Sequence, residues 1–171
     1  MVESWGLGPD PQAVLDAALV KALYAVRLML AAACGAAVGW QRQRADKSAG
    51  LRTHMLMAAG ACLFTLVTLS LGEGDPQRVV QGMLMGTGFI AGGVIFRQGP
   101  SVHGLTTAVG LWVTSAVGLA VGLGDYFLAI ATTVLTLVVM STFQRLERKA
   151  ARAPAAEDGG GPPPPDASGR A

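Results

Sequence analysis

Five stretches of about eighteen residues, the length an apolar helix needs to cross a bilayer, contain a single interior charge between them. They run roughly from Ala22 to Trp40, His54 to Leu71, Gly82 to Arg97, Leu105 to Leu123 and Tyr126 to Phe143; the interior charge is Arg27, and Arg97 closes the third. This pattern predicts an all-α, polytopic membrane protein with five transmembrane helices. Composition agrees, since 14% of the 171 residues are charged against about 25% in a soluble domain.

The loop charges alternate in sign. Arg42, Arg44, Lys47 and Arg52 lie between the first and second stretches, Arg97 between the third and fourth, and Arg145, Arg148, Lys149 and Arg152 after the fifth. On the opposite set lie Glu3, Asp10 and Asp16, then Glu73 and Asp75 with Arg78, then Asp125. Because Lys and Arg mark the cytoplasmic side, the N-terminus is expected outside and the C-terminus inside. The acids ahead of the first run set it apart from a secretory signal. The expected organisation is an outer segment (1–21), a five-helix membrane domain (22–144) and a cytoplasmic tail (145–171). That tail is basic at first and ends in GGGPPPPDASGRA, a composition that buries no core and is expected to be disordered.

Small residues dominate the third stretch, GMLMGTGFIAGGVIFR. One Gly costs a helix in water about 1 kcal/mol relative to Ala, whereas in lipid small residues let backbones approach closely. The pairs Gly82/Gly86 and Gly88/Gly92 therefore predict a middle helix packed on more than one side. Thr106, Gly110, Thr114, Gly118 and Gly122 recur every fourth residue in the fourth stretch, giving a second packing face. His54, Ala58, Ala61, Thr65 and Thr68 form a weakly polar stripe on the second. The fifth, ringed by Leu128, Val134, Leu135 and Val138, is expected to be the most lipid-exposed. Cys34 and Cys62 fall inside spans and read as small packing residues. Gly50-Leu51-Arg52-Thr53 and Gly104-Leu105-Thr106-Thr107 each open a span, hinting at a parallel repeat of two-helix units.

Asp10-Pro11 suits an N-cap and first helical position. Arg27 shares a face with Ala31, Gly35 and Gly39; it either faces the bundle interior as a functional charge or snorkels to the outer headgroups. Gly99-Pro100 is expected to stop the third span on the inside. Along the chain, AGLRTHML, GTGFIAGGVIFR, SVHGLTTA and LWVTSAVGLAVGLG occur in order between about Arg27 and Tyr126. Together they resemble the membrane domain of the MgtC/SapB family. After the first span that family reads Gly-x-Glu-Arg-Glu or similar; here the place holds Gly39, Trp40, Gln41, Arg42, Gln43, so a neutral Gln41 replaces an acid. Many relatives carry a soluble regulatory domain where this chain has its Pro-rich tail.

No catalytic residue, cofactor or metal site is expected. Gly86-x-Gly88 has no preceding strand to make a dinucleotide loop, and Ser101 with His103 has no acidic partner nearby. The candidate functional residues are Arg27 and an inner group comprising Arg42, Arg52, Thr53, His54, Arg97, His103, Thr106 and Thr107. The second and fourth spans both begin inside, so their free N–H groups and positive dipole ends meet these cations. The group either binds an anion or only fixes topology. The resemblance implies a role in magnesium homeostasis and growth at low magnesium. Magnesium favours carboxylates and water, yet no Asp or Glu lies inside a span. The expected function is therefore support of magnesium homeostasis by modulating another membrane component. A magnesium or other cation transporter is the alternative, and a structural scaffold the third reading. The partners expected are the lipid bilayer, another membrane protein and a further copy of the chain, with no nucleic acid.

Overall fold

The computed structural model describes residues 11–72 and 75–152, with Pro11, Pro76 and 145–152 as backbone only. Asp10, Glu73, Gly74 and the Pro-rich end of the tail lie outside the described residues. The order is α1 (Pro11–Arg44), α2 (Leu51–Ser70), α3 (Pro76–Gly92), β1 (Phe96–Gln98), β2 (Ser101–His103), α4 (Leu105–Leu123) and α5 (Tyr126–Arg152). The chain forms two units, Met1–Val138 and Val139–Ala171, and the second includes the helical end of α5. Among the described residues four helices are long and apolar enough to cross a membrane: Gln12–Arg44, Leu51–Ser70, Leu105–Leu123 and Tyr126–Gln144.

The third expected span is corrected in both position and role. Asp75 accepts a hydrogen bond from Gln77 N at 2.9 Å and Pro76 takes the first helical position, so the helix starts six residues before Gly82. It ends at Gly92, not Arg97, because Phe96–Gln98 leaves the helix to pair antiparallel with Ser101–His103. Gly99-Pro100 forms the turn of this hairpin, with Gly99 at φ +61°, and Phe96 stacks on His103 at 5.6 Å. With 17 residues α3 is about 25 Å long, short of the hydrocarbon thickness of about 30 Å.

The centre is α4, not α3. It packs against α1, α2 and α3, and its buried residues fall on several sides: Thr107, Ala108, Gly110, Leu111, Thr114, Ser115, Val117, Gly118, Ala120, Val121 and Gly122. The contacts that bring α2 and α4 together are glycine contacts. A methyl group built on Gly118 would collide with the Ala58 carbonyl, and one on Gly122 would lie 2.6 Å from Thr65 Cβ. On α1, one at Gly35 would strike the His54 carbonyl and one at Gly39 would lie 2.7 Å from Leu51 Cα. By contrast, Gly82, Gly86, Gly88 and Gly92 have nothing within 4 Å of such a methyl. The close packing expected of them is not made within this chain. Instead, Gly60, Gly82 and Gly86 line an open cleft of about 580 Å³ between α2 and α3.

Helix directions follow from these pairs. His54, Ala58 and Thr65 of α2 meet Thr114, Gly118 and Gly122 of α4 in ascending order, so α2 and α4 run parallel. Gly35 meets His54 and Gly39 meets Leu51, so α1 is antiparallel to α2. Both parallel helices follow a glycine N-cap, Gly50 and Gly104. Gly104 is at φ +86°, and any side chain there would strike the Val94 carbonyl, which accounts for glycine at that turn. Phe127, Leu128, Ile130, Val134 and Leu135 of α5 are exposed, while Ala129 joins the cluster of Ala31, Cys34, Ala58, Cys62, Leu66 and Val121.

Candidate functional site

Two polar groups lie at opposite ends of the α1, α2 and α4 contact. At one end, Arg42 is 2% exposed and its Nη2 donates to Thr107 Oγ1 at 2.8 Å. Gly39, one turn earlier on α1, carries no side chain, which lets α2 close over this face. His54, fully buried in the first turn of α2, bonds through Nδ1 to Thr114 Oγ1 at 2.8 Å. The tautomer follows from hydroxyl counting. Thr114 has one proton and donates it to the Gly110 carbonyl at 2.8 Å, so it accepts from His54 Nδ1–H. His54 Nε2 is then an acceptor; it and Arg42 Nε are buried without a hydrogen-bond partner.

At the other end, Arg27 Nη1 donates to the Gly122 carbonyl at 2.9 Å and its Nε to Tyr126 Oη at 3.1 Å, with the guanidinium 6.0 Å from the Tyr126 ring centre. A cation on the last turn of α4 meets the negative end of the helix dipole. Gly124, at φ +89°, ends that helix, and a methyl on it would come within 3.3 Å of Arg27 Nη2. Arg27 thus ties α1 to the junction of α4 and α5.

The structure therefore separates the expected candidates. Arg42, His54 and Thr107 are buried on facing helices, and Arg27 belongs to the far end. Arg52, Thr53, Arg97, His103 and Thr106 are exposed. Arg97 Nε bonds its own hairpin at the Gly99 carbonyl, 3.0 Å away, and His103 is held by Phe96. Arg52 and Arg97, expected to frame an anion site, thus lie at exposed positions, and among the described residues the buried guanidinium is that of Arg42. Thr114 and Tyr126 are the partners that sequence reasoning passed over. The first looked like one more small residue on a packing stripe, and nothing in the chain marks a tyrosine as the partner of an arginine 99 residues away. Gln43 has a local task, since its Oε1 accepts from Leu51 N at 3.2 Å and caps α2. Trp40 is 50% exposed and carries Arg44 over its ring at 4.8 Å, a pairing suited to a headgroup region.

Among the described residues no group of three His, Cys, Asp or Glu is placed to hold a metal ion. Cys34 and Cys62 are free and buried.

Comparison with known proteins matches the MgtC family over residues 28–149. The chain belongs to the MgtC family. YhiD of Escherichia coli (strain K12), named as a candidate magnesium transporter, is 43% identical over 133 residues, covering 72% of this chain and 61% of YhiD. SrpB of Synechococcus elongatus is 39% identical over 138 residues, 71% of this chain and 75% of SrpB. MgtC of Salmonella typhimurium is 39% identical over 114 residues, 67% of this chain and 49% of MgtC. This MgtC-family chain therefore spans about three fifths of YhiD and half of MgtC. No solved structure matches. These relatives are bacterial, YhiD is the one of the three whose name refers to magnesium, and the apolar helices of this chain mark it as a multi-pass membrane protein.

Proposed function

We propose that this MgtC-family protein supports magnesium homeostasis by modulating another component of the bacterial plasma membrane, without catalysis and without itself conducting the ion. The observation that carries this reading is the sign of the buried charge. The ionised group enclosed by α1, α2 and α4 is the Arg42 guanidinium, which repels a divalent cation, and no carboxylate neutralises it among the described residues. Magnesium dehydrates reluctantly and is ordinarily met by carboxylates and retained water. The name of YhiD favours the second reading, transport. Reconstitution into liposomes with an entrapped magnesium-sensitive dye separates the two. Modulation predicts no protein-dependent magnesium flux and a co-purifying membrane partner; flux above empty liposomes overturns it.

The topology belonging to this reading has five crossings with the N-terminus outside. Two features support it beyond the loop charges. Helices α2 and α4 run parallel, so if both cross in the same direction the chain between them must cross back, and α3 is the helix that lies there. Val79 near the start of α3 lies beside Thr68 and Leu123, and Ala91 near its end packs with Ala108, so α3 extends along the length shared by α2 and α4. The short α3 is accommodated by local thinning of the bilayer. Cysteines introduced at the exposed Gln77 should react with an impermeant thiol reagent added to intact cells, whereas cysteines at Ser48 or Gln98 should react only after permeabilisation. Labelling of all three from outside contradicts the crossing of α3.

A further inference from the structure

Arg42 is placed where its charge is hardest to hold. A guanidinium withdrawn from water costs several kcal/mol unless a counter-charge and hydrogen bonds satisfy it, and Arg42 is 2% exposed. Among the described residues its guanidinium bonds a neutral hydroxyl, that of Thr107, and its Nε–H is buried without a partner. The nearest acids in the chain do not help: Asp46 is on the exposed loop after α1, and no carboxylate pairs with Arg42 among the described residues.

The helix dipoles sharpen the imbalance. Arg42 lies in the last turn of α1, whose carbonyls are negative, but those carbonyls are engaged by the loop: Ala45 N on Gln41 O and Arg42 O, and Lys47 N on Arg42 O, each at 3.2 Å. The guanidinium instead reaches to Thr107, the third residue of α4. That is the positive end of α4, where the first N–H groups have no intrahelical partner. The N-cap there is Gly104, which offers no side chain to accept from them. Two positive poles, the guanidinium and the helix end, thus converge on one place.

We propose that Arg42 and the first turn of α4 form a binding site for a phosphate group. A phosphate supplies what both poles lack, negative charge and several acceptor oxygens. One oxygen would take the unmatched Arg42 Nε–H and a second the remaining Nη2 proton in the bidentate geometry that guanidinium favours. The free N–H groups of α4 would bind the same group as helix N-termini do elsewhere. Thr107 holds the guanidinium in place by accepting from Nη2 and acts as a positioning residue. The phosphate comes either from solution or from a phospholipid headgroup, since the end of α1 follows the apolar run that ends near Trp40.

The test is a thermal-unfolding titration of the full chain in a phosphate-free maltoside detergent, independent of whether the protein moves magnesium. Inorganic phosphate should raise the midpoint by about 5 °C near saturation through preferential binding to the folded state, and sodium chloride at matched ionic strength should not. A shift in lipid-free detergent assigns the site to free phosphate. A shift seen only on transfer from galactolipid nanodiscs to phosphatidylglycerol nanodiscs assigns it to a headgroup. In either case Arg42→Gln should abolish the shift, Arg42→Lys should weaken the apparent affinity about tenfold through loss of the fork, and Arg52→Gln should leave it intact. Thr107→Val, which keeps the buried charge but frees the guanidinium, should also weaken binding and serves if Arg42→Gln does not fold. Absence of any shift with both phosphate sources, or a shift that survives Arg42→Gln, overturns the proposal.

Discussion

Gly118→Leu should destabilise the protein by about 3 kcal/mol, at the upper end of the overpacking range, and Gly86→Leu should change stability by less than about 0.5 kcal/mol. The two positions look alike as glycines of small-residue faces. Their surroundings differ: the first side-chain atom at Gly118 runs into the Ala58 carbonyl, a backbone atom that cannot rotate away, whereas at Gly86 it meets nothing within 4 Å. Relieving the first clash requires α2 and α4 to separate, which also disturbs His54 on Thr114 and Thr65 on Gly122. Leu135→Ala, on an exposed face of α5, should be as mild as Gly86→Leu. Thermal unfolding of the variants in one detergent checks the order. Greater loss from Gly86→Leu than from Gly118→Leu would place the working contact on α3, and a loss that grows with dilution would identify a second copy of the chain as its partner.

Thr114→Val is expected to cost about 1 to 3 kcal/mol, the penalty for leaving a buried donor unmatched. The Thr114 hydroxyl accepts from His54 Nδ1–H, and the ring is fully enclosed. Valine has nearly the volume of threonine, so the change isolates the hydrogen bond from the packing. Thr114→Ser keeps the acceptor and should retain most of the stability. His54→Leu in the Thr114→Val background should recover part of the loss, because removing both partners leaves no orphan. A double-mutant cycle on unfolding midpoints reads this coupling directly, and additivity of the two single changes would show that the bond contributes nothing.

What the sequence by itself determined is local. An apolar run long enough to cross hydrocarbon is a property of consecutive residues, so the helices and their membrane character were readable from composition and length. So were the boundaries of α4 at Gly104 and Gly124, because capping depends on one or two residues with particular backbone freedom; the start of α3 at Asp75-Pro76 was not, since the third run was expected to open at Gly82. The parallel course of α2 and α4 was hinted at by two short matching openings. Tertiary structure decided which of several equivalent local signals is used. A small-residue stripe says that a backbone can approach, not that one does, and α4 rather than α3 became the centre because Gly118 and Gly122 found α2 while the α3 glycines face an open cleft. Likewise a loop rich in Arg reports only a bias in charge. That Arg42 is enclosed while Arg52 and Arg97 stay exposed depends on how far α1 extends past the apolar run, and on which face Gly35 and Gly39 press against α2. Such facts reside in the distances between helices, and no single helix carries them in its sequence.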